Sequence, residues 1–177
     1  MHTADDHCDD AGFTAFVAAQ WTRLSRTAYM LTGDFHDAED LVQTTLAKVY
    51  RRWHRLRIED VEGYVYRSLV NNNRARFRRH RVKHLFTPFL PDIPLASQED
   101  GLAEDRDALL QGLSALPTRQ RAVIVLRYWD DLSVEETAQA LGCSTGTVKS
   151  QASRALAKLR AHPALGTCRP LLVREPS

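Results

Sequence analysis

A stretch of sequence with helical spacing carries a single row of arginines. The row consists of Arg67, Asn71, Arg74, Arg78 and Arg81, separated by four, three, four and three positions. Side chains three or four positions apart share one face of an α-helix, so these donors can follow a phosphate backbone. The interleaved aromatic residues Tyr64, Tyr66 and Phe77 could stack on exposed bases, although core packing is favoured for at least two of them.

A second candidate DNA-binding site lies in the C-terminal half. Ser133 and Glu136 have the spacing of a capping box, which predicts that a helix begins there. Gly142 suits a turn with positive φ, and Ala138 and Val148 complete the spacing of a helix-turn-helix. The outward face of the second helix then carries groups that hydrogen-bond base edges and phosphates: Thr147, Ser150, Gln151, Arg154 and Lys158.

The charge of the chain is unevenly distributed. Apolar residues make up 44% and charged residues 26% of the 177 residues, as in an ordinary folded protein, and the net charge is only +2. Residues 51–83 nevertheless contain eleven Arg or Lys against three acidic residues, whereas 34–40 and 99–107 are acidic. The basic stretch favours binding to a polyanion.

Other features exclude several classes of protein. Four aspartates occupy the first ten residues, where a signal peptide needs positive charge, and no apolar run reaches the roughly 20 residues of a membrane span. We therefore expect a cytoplasmic protein. The three widely spaced cysteines argue against disulfides and structural zinc, and a metal site at His2, His7 and Cys8 is disfavoured on a terminus expected to fray. We expect no metal, cofactor or catalytic residue.

Helical spacing of apolar residues predicts an all-α protein with two small domains, a helical bundle and a helix-turn-helix domain. In the bundle, one helix ends at Thr32-Gly33-Asp34, a second continues to Trp53, and a third runs from about Asp60 to about Arg81. Three closely spaced prolines indicate a flexible linker. The predicted segments are an acidic N-terminal tail (1–10), the bundle (11–83), the linker (84–104), the helix-turn-helix domain (105–162) and a C-terminal tail (163–177).

Several motifs resemble those of the extracytoplasmic-function (ECF) sigma factors of the sigma-70 family, and they occur in the family's order. Residues 37–50, DAEDLVQTTLAKVY, resemble the segment that binds the polymerase core. Residues 116–128, LPTRQRAVIVLRY, resemble the start of the fourth conserved region. Residues 131–138, DLSVEETA, and 141–150, LGCSTGTVKS, resemble its helix-turn-helix. The match covers about residues 13–161 and is most similar to the actinobacterial SigE-like group.

The resemblance implies a sigma factor that binds RNA polymerase core, at the clamp of the largest subunit and at the flap, and directs it to promoters. It assigns core binding to Asp37, Glu39, Asp40, Leu41, Gln43 and Thr44. It assigns recognition of the minus-ten element to Arg55, Arg57, Arg67, Asn71, Arg74, Arg78 and Arg81. It assigns the minus-thirty-five element to Ser144, Thr145, Thr147, Lys149, Ser150, Gln151, Arg154 and Lys158. An anti-sigma factor is a further expected partner.

Two other interpretations compete with this one. A helix-turn-helix regulator that never joins polymerase would leave the motif at 37–50 unexplained. A nuclease using His36, Asp37 and Asp40 is disfavoured because no second carboxylate cluster or metal-ligand pair accompanies them. For the free protein, a compact autoinhibited form in which the acidic stretch 99–107 covers the arginine row is a hypothesis.

Overall fold

The computed structural model describes residues 3–56, 58–84 and 102–165, and within them it leaves out the side chains of 3–9, 58–60, 80–84 and 102–105. Every regular element in these ranges is helical, as the periodicity predicts. The α-helices are α1 (Thr3–Thr32), α2 (Phe35–Tyr50), α3 (Ile58–His84), α4 (Leu102–Ser114), α5 (Thr118–Ile124), α6 (Val134–Leu141) and α7 (Thr145–Arg160). Short 3-10 turns cover Trp53–Arg55 and Pro163–Leu165, and a π-helix covers Val125–Trp129.

The turn between α1 and α2 has the features that the sequence predicts. Gly33 adopts a positive φ of 80°, a conformation that costs glycine little, and its amide donates to the carbonyl of Tyr29. Asp34 then caps α2 by accepting a hydrogen bond from the amide of Asp37 at 2.8 Å. The two helices therefore fold back on each other and pack along their length.

The helix α1 begins at Thr3, so most of the predicted N-terminal tail belongs to this helix. Contacts with the end of α2 explain the extra turns. The hydroxyl of Tyr50 donates to Asp10 at 2.9 Å, and the ring of Phe13 lies 5.0 Å from Tyr50 and 5.2 Å from Trp53 between centroids. This aromatic cluster supports the helix well before the first turn that periodicity alone indicated.

The core of the first domain lies between α1, α2 and α3. Leu31, Val42 and Leu69 are fully buried there, one from each helix. Asn72 is a buried polar residue of this core that is paired: its side-chain amide donates to Thr45 at 3.0 Å and its oxygen accepts from Lys48. Such pairing is what makes buried polar side chains tolerable.

The second domain packs α4 to α7 around Leu113, Leu126 and Leu159. The apolar run 123–126 lies in α5 and the π-helix, which confirms the helical assignment over a strand. The π-helix itself was not predicted. Its wider turn brings the amide of Asp130 to the carbonyl of Val125, and it is followed by Asp131 with a positive φ of 56°.

The two domains pack on each other, with α1 and α3 of the first against α5, α6 and the π-helix of the second. Their apolar cores form one continuous cluster. The predicted linker lies almost entirely in residues 85–101, outside the described residues. The side chains of 99–105, which belong to the acidic stretch that was expected to cover the arginine row, also lie outside the described residues. Within the described residues, Arg67, Asn71, Arg74 and Arg78 of that row are exposed.

Candidate nucleic-acid interface

The arginine row lies on α3 with the geometry that its spacing predicts. Arg67, Asn71, Arg74 and Arg78 are all exposed, and Arg79 beside them is exposed as well. Opposite them, Val65, Leu69 and Asn72 anchor the helix in the core. A rigid helix thus presents a row of cations and one amide to solvent, which suits a polyanionic strand.

Two predicted members of the minus-ten set cannot be described. Arg57 lies outside the described residues, and Arg81 lies in α3 without a described side chain. Arg55 is exposed at the end of the 3-10 turn that precedes α3. The described members therefore lie on one helix face and on the short turn that leads into it.

The aromatic residues of α3 serve mainly in packing, as expected for at least two of them. Tyr66 is 2% exposed, and Phe77 is half-buried with the guanidinium of Arg121 5.6 Å from its ring centroid. Tyr64 is half-buried, with Arg52 5.8 Å from its ring centroid. Neither Tyr66 nor Phe77 is available to stack on a base in this conformation.

Polar side chains form an exposed face on α2. Glu39, Asp40, Gln43 and Thr44 are exposed on successive turns, and Gln43 donates to Glu39 at 3.4 Å. Leu41 was wrongly included in this set because it is 3% exposed and packs in the core. The apolar stripe of α2 required that position, and a motif match alone does not distinguish the two faces of a helix.

Asp37 has a more specific role than a free surface acid. Its carboxylate pairs with the guanidinium of Arg76 on α3, and Arg76 also donates to the Asp37 carbonyl at 2.8 Å. Burial lowers the pKa of Arg76, while the charge of Asp34 opposes that effect. Asp37 therefore joins the start of α2 to α3, and its carboxylate is half-exposed beside the polar face.

The exposed aromatic Phe35 was missed in the sequence. It is the first residue of α2 and is 71% exposed, with His36 6.1 Å away between ring centroids. Large apolar side chains at such exposure are uncommon away from binding surfaces. The signal was available, because Phe35 directly precedes the acidic motif and falls outside the apolar stripe of α2.

The helix-turn-helix is formed by α6, the turn 142–144 and α7. Both hydrogen bonds of the predicted capping box are present: Glu136 accepts from the Ser133 amide at 2.7 Å, and Ser133 accepts from the Glu136 amide at 3.1 Å. These bonds lower the pKa of Glu136. Gly142 has the expected positive φ of 60°, and Val148 is fully buried. The predicted cap, turn and anchor are therefore confirmed.

The predicted minus-thirty-five residues occupy different positions around α7. Ser144 is its N-cap and accepts from the amide of Thr147 at 3.2 Å, so its hydroxyl is partly used within the protein. Ser150 donates to the Thr147 carbonyl at 3.0 Å. Thr145, Arg154 and Lys158 are exposed. The oxygen of Gln151 accepts from Gln120 of α5 at 3.3 Å, which holds that amide in place.

Lys149 lies on a different side of α7 from Arg154. At about 100° per residue, Thr147, Gln151, Arg154 and Lys158 share one side, and Lys149 lies well over 100° away. It instead joins Arg127 and Arg160 around a groove of about 290 Å³ whose floor includes Val148 and Leu156. The structure therefore does not bring Lys149 together with Gln151 and Arg154.

Polar residues also meet in the contact between the domains. Asp130, 7% exposed, accepts from the hydroxyl of Thr27, which lies 2.8 Å from each carboxylate oxygen, and the carboxylate lies 3.8 Å from Arg23. Burial raises the pKa of Asp130 to about 6, although Thr27 and Arg23 act in the opposite direction. Desolvation also raises the pKa of the adjacent Tyr66, with the charge of Asp130 adding to it. No sequence spacing predicted this cluster.

An all-helical chain with a cationic helix in one domain and a helix-turn-helix in another is a DNA-binding protein of the transcription-factor class. Family comparisons specify it further. The family model described as "Sigma-70 region 2" matches residues 17–82, and that described as "Sigma-70, region 4" matches residues 106–159. The first match runs from the middle of α1 to near the end of α3, and the second from within α4 to near the end of α7.

Curated relatives agree with the family models. The chain is 41% identical over 151 residues to the RNA polymerase sigma-E factor of Streptomyces coelicolor, covering 84% of each chain. It is 39% identical over 157 residues to the factor of the same name from Streptomyces avermitilis, covering 87% of this chain and 86% of the relative. With the ECF RNA polymerase sigma factor SigE of Mycolicibacterium smegmatis it shares 33% identity, over 78% of this chain and 56% of the relative.

Two solved structures of similar fold are informative. The sigma factor RpoE of Bartonella quintana, in complex with the anti-sigma factor NepR, aligns with a TM-score of 0.70 at 24% identity, covering 89% of this chain and 99% of RpoE. CnrH, in complex with the cytosolic domain of CnrY, aligns with a TM-score of 0.63 at 25% identity, covering 86% and 87%. They support the all-α, two-domain architecture.

The chain therefore belongs to the ECF group of sigma-70 RNA polymerase sigma factors and is of the SigE-like type. Such a factor binds RNA polymerase core and directs promoter-specific initiation of transcription. A regulator that never joins polymerase is not favoured, because the region 2 match covers most of the first bundle, residues 17–82. No helix among the described residues is long and apolar enough to cross a membrane.

Proposed function

We propose that this sigma factor divides its work among three helices: α2 docks on the polymerase clamp, α3 holds the minus-ten strand, and α7 recognises the minus-thirty-five duplex. The observation that carries the proposal is the exposure of a polar face on α2 and a cationic row on α3 within one rigid domain. A DNA strand bound along α3 would then lie beside a polymerase docked on α2.

The clamp contact is assigned to Glu39, Asp40, Gln43 and Thr44, with Phe35 as an apolar anchor at their edge. Four exposed polar side chains around one exposed ring resemble the organisation of protein interfaces, in which a few aromatic residues carry most of the binding energy. Asp37 belongs to this surface as the residue that ties α2 to α3 through Arg76.

The minus-ten contact is assigned to Arg55, Arg67, Asn71, Arg74 and Arg78, with Arg57 and Arg81 retained from the motif match. Flipping a base out of the stack costs a few kcal/mol, and cations along the strand offset part of that cost. Because Tyr66 and Phe77 are packed inward, the arginines and Asn71 carry this role.

The minus-thirty-five contact is assigned to the side of α7 that carries Thr147, Gln151, Arg154 and Lys158, with Ser144, Thr145 and Ser150 near the phosphates. Arg154 is exposed and suits a guanine edge, whereas Gln151 suits adenine. Gln120 donates to one lone pair of the Gln151 oxygen, so the second lone pair and the amide nitrogen remain for an adenine edge.

Lys149 receives a different assignment. Together with Arg127 and Arg160 it surrounds a groove with an apolar floor, and no acidic residue lines that groove. An amphipathic helix with acidic residues at its edges fits such a surface. We propose that this groove takes the flap of polymerase, and that Leu156→Gln weakens binding to core while leaving binding to a minus-thirty-five duplex intact.

CnrH is crystallised with the cytosolic domain of CnrY, and this likeness supports an anti-sigma factor as a further partner. The protein itself performs no chemistry in this proposal, because bond formation belongs to the polymerase. Since promoters and polymerase occupy the bacterial cytoplasm, that is where it acts.

The test is transcription in vitro with purified core, a library of genomic promoter fragments and this protein. We expect new start sites that share upstream elements, lost with Asp40→Arg and with Arg154→Ala. Asp107→Arg and Arg26→Ala are matched controls, because both residues are exposed and lie outside the assigned surfaces. Sequence-specific duplex binding without binding to core would refute the proposal.

A further inference from the structure

Asp130 lies at the contact between the two domains. Among the described residues, every side chain that donates a hydrogen bond to its buried carboxylate belongs to the other domain. Its oxygens accept from Thr27 of α1, and its backbone carbonyl accepts from Arg23 of the same helix at 3.1 Å. Thr27 is fully buried by this contact. A buried carboxylate is costly unless it is paired, so the closed contact depends on the hydroxyl of Thr27 and the nearby charge of Arg23.

A second buried charge crosses the same contact. Arg121 of α5, 6% exposed, donates to the carbonyl of Leu31 at the end of α1 at 3.0 Å, and to its own domain at Ser114 at 2.9 Å. Its guanidinium also lies over the ring of Phe77 on α3. Burial lowers the pKa of Arg121. Two polar anchors therefore hold the second domain against both α1 and α3.

This closed arrangement conflicts with promoter binding. In the closed chain α6 of the helix-turn-helix packs directly on α3, the helix of the arginine row. The first helix of a helix-turn-helix normally crosses the DNA backbone, and α6 cannot do so while α3 lies against it.

We propose that Asp130 and Arg121, with Thr27, Arg23 and Leu31, form an interdomain latch that keeps the free sigma factor closed and must open for core and promoter to bind. The inference rests on the sigma function but is tested without DNA. The segment between α3 and α4 has 17 residues, 85–101, which reach at most about 60 Å when extended, so opening needs no unfolding of either domain.

The test measures the distance between domains by single-molecule energy transfer in the full-length chain. Dyes are attached at Ala19→Cys on α1 and Ala157→Cys on α7, both exposed positions, after Cys8, Cys143 and Cys168 are replaced by serine. The free parent is expected to show one high-transfer population. Addition of polymerase core is expected to convert it to low transfer.

Thr27→Val is the informative variant because it preserves side-chain shape and removes the hydroxyl that the Asp130 carboxylate needs. We expect its open-to-closed ratio to rise roughly tenfold or more, as for other buried groups left unpaired. Thr14→Val is the matched control, since Thr14 lies on the same helix and bonds only within it, to Asp10. It should leave the ratio unchanged.

Two further variants guard against trivial explanations. Arg23→Met keeps an apolar stem and should open the chain less than Thr27→Val, because Arg23 is half-exposed. The double variant with Asp130→Ala and Thr27→Val should raise the open-to-closed ratio by less than the product of the two single-variant increases. Both substitutions remove the same hydrogen bonds. Helical circular dichroism of each variant verifies folding.

The latch is refuted by any of three results: a free parent that is mainly low-transfer, equal ratios for Thr27→Val and Thr14→Val, or core binding that leaves transfer high. Failure of the promoter assay with an intact closed population would instead count against the proposed function alone. The two conclusions are therefore separable.

Discussion

At the residue scale, the environment of Asp130 makes the contact between domains sensitive to pH. Its pKa is raised to about 6 against an ordinary value of 3.8, chiefly by burial. The groups that face it are Thr27, Arg23, Tyr66, Glu62 and Asp131. A carboxyl with a higher pKa in the closed form than in the open form binds protons more tightly when closed, so protonation favours closure.

We therefore expect the open fraction to increase as the pH rises from about 4 to 6.5, between the ordinary pKa of the open form and the raised pKa of the closed form. The measurement is energy transfer across that range. Asp130→Asn should flatten the dependence of the open fraction on pH, because an amide does not titrate. Subtracting the profile of the variant from that of the parent removes the contribution of histidines, which both chains share. An identical pH profile in both chains would show that Asp130 does not control closure.

The sequence predicted correctly which residues are exposed where helical spacing alone determines the face on which they lie. The exposure of Arg67, Arg74 and Arg78 follows from spacing alone. Leu41 was assigned wrongly by motif match, although the apolar stripe of α2 already placed it inside. Asp130 was not predictable, because its partners are 103 and 107 residues away in the chain and no local pattern identifies them.

At the scale of elements, the capping box of α6 stabilises the helix-turn-helix. Ser133→Ala removes the acceptor for the Glu136 amide and should lower the free energy of unfolding by about 1 kcal/mol. Ser153→Ala on the exposed side of α7 is the control and should have little effect. Urea denaturation followed by circular dichroism measures both. Equal midpoints for the two variants would mean that the cap contributes nothing.

The arginine row of α3 should make binding to the minus-ten strand depend on salt. Each phosphate contact with single-stranded DNA contributes about 0.7 to the slope of log affinity against log salt. Arg74→Ala and Arg78→Ala should each lower the slope by about that amount in holoenzyme binding to a nontemplate-strand oligonucleotide. Arg26→Ala, on α1, should leave it unchanged, and a uniform change in all three would indicate a nonspecific effect.

Element type and order were predictable because apolar periodicity, caps and turn glycines agree with one another. The turn at Gly33 and the helix-turn-helix at Gly142 are examples. The first turns of α1 were missed; Asp10 and Phe13, close to these turns, are held by contacts with Tyr50 and Trp53 from other elements. Tertiary contacts of this kind leave little trace in local sequence.

At the scale of the whole molecule, the shared apolar core and the latch should make the two domains unfold together. Trp53 reports on the first domain and Trp129 on the second, so variants that retain one tryptophan each can be followed by fluorescence in urea. We expect coincident transitions in the parent and separate ones in Thr27→Val. Thr14→Val should remain coincident, and separate transitions in the parent would contradict domain coupling.

The closed arrangement could not be inferred from the sequence. Two domains and a proline-rich connection were recognisable, and they suggested independent units. What joins them is a set of single contacts between distant residues, such as Arg121 with Leu31 and Thr27 with Asp130. Each joins one side chain to a single residue of the other domain, so no periodicity marks the surface.

The π-helix at Val125–Trp129 has a consequence for how this protein can change in evolution. A π turn amounts to one residue inserted into an α-helix. Removing one residue there would restore an ordinary helix and rotate everything that follows by about 100°. Asp130 would then turn away from α1, and the helix-turn-helix would turn with it. Because Arg127 and Tyr128 of this segment also line the groove beside Lys149, a single-codon deletion there would alter the groove and the closed contact together, although the segment contains no residue assigned to DNA.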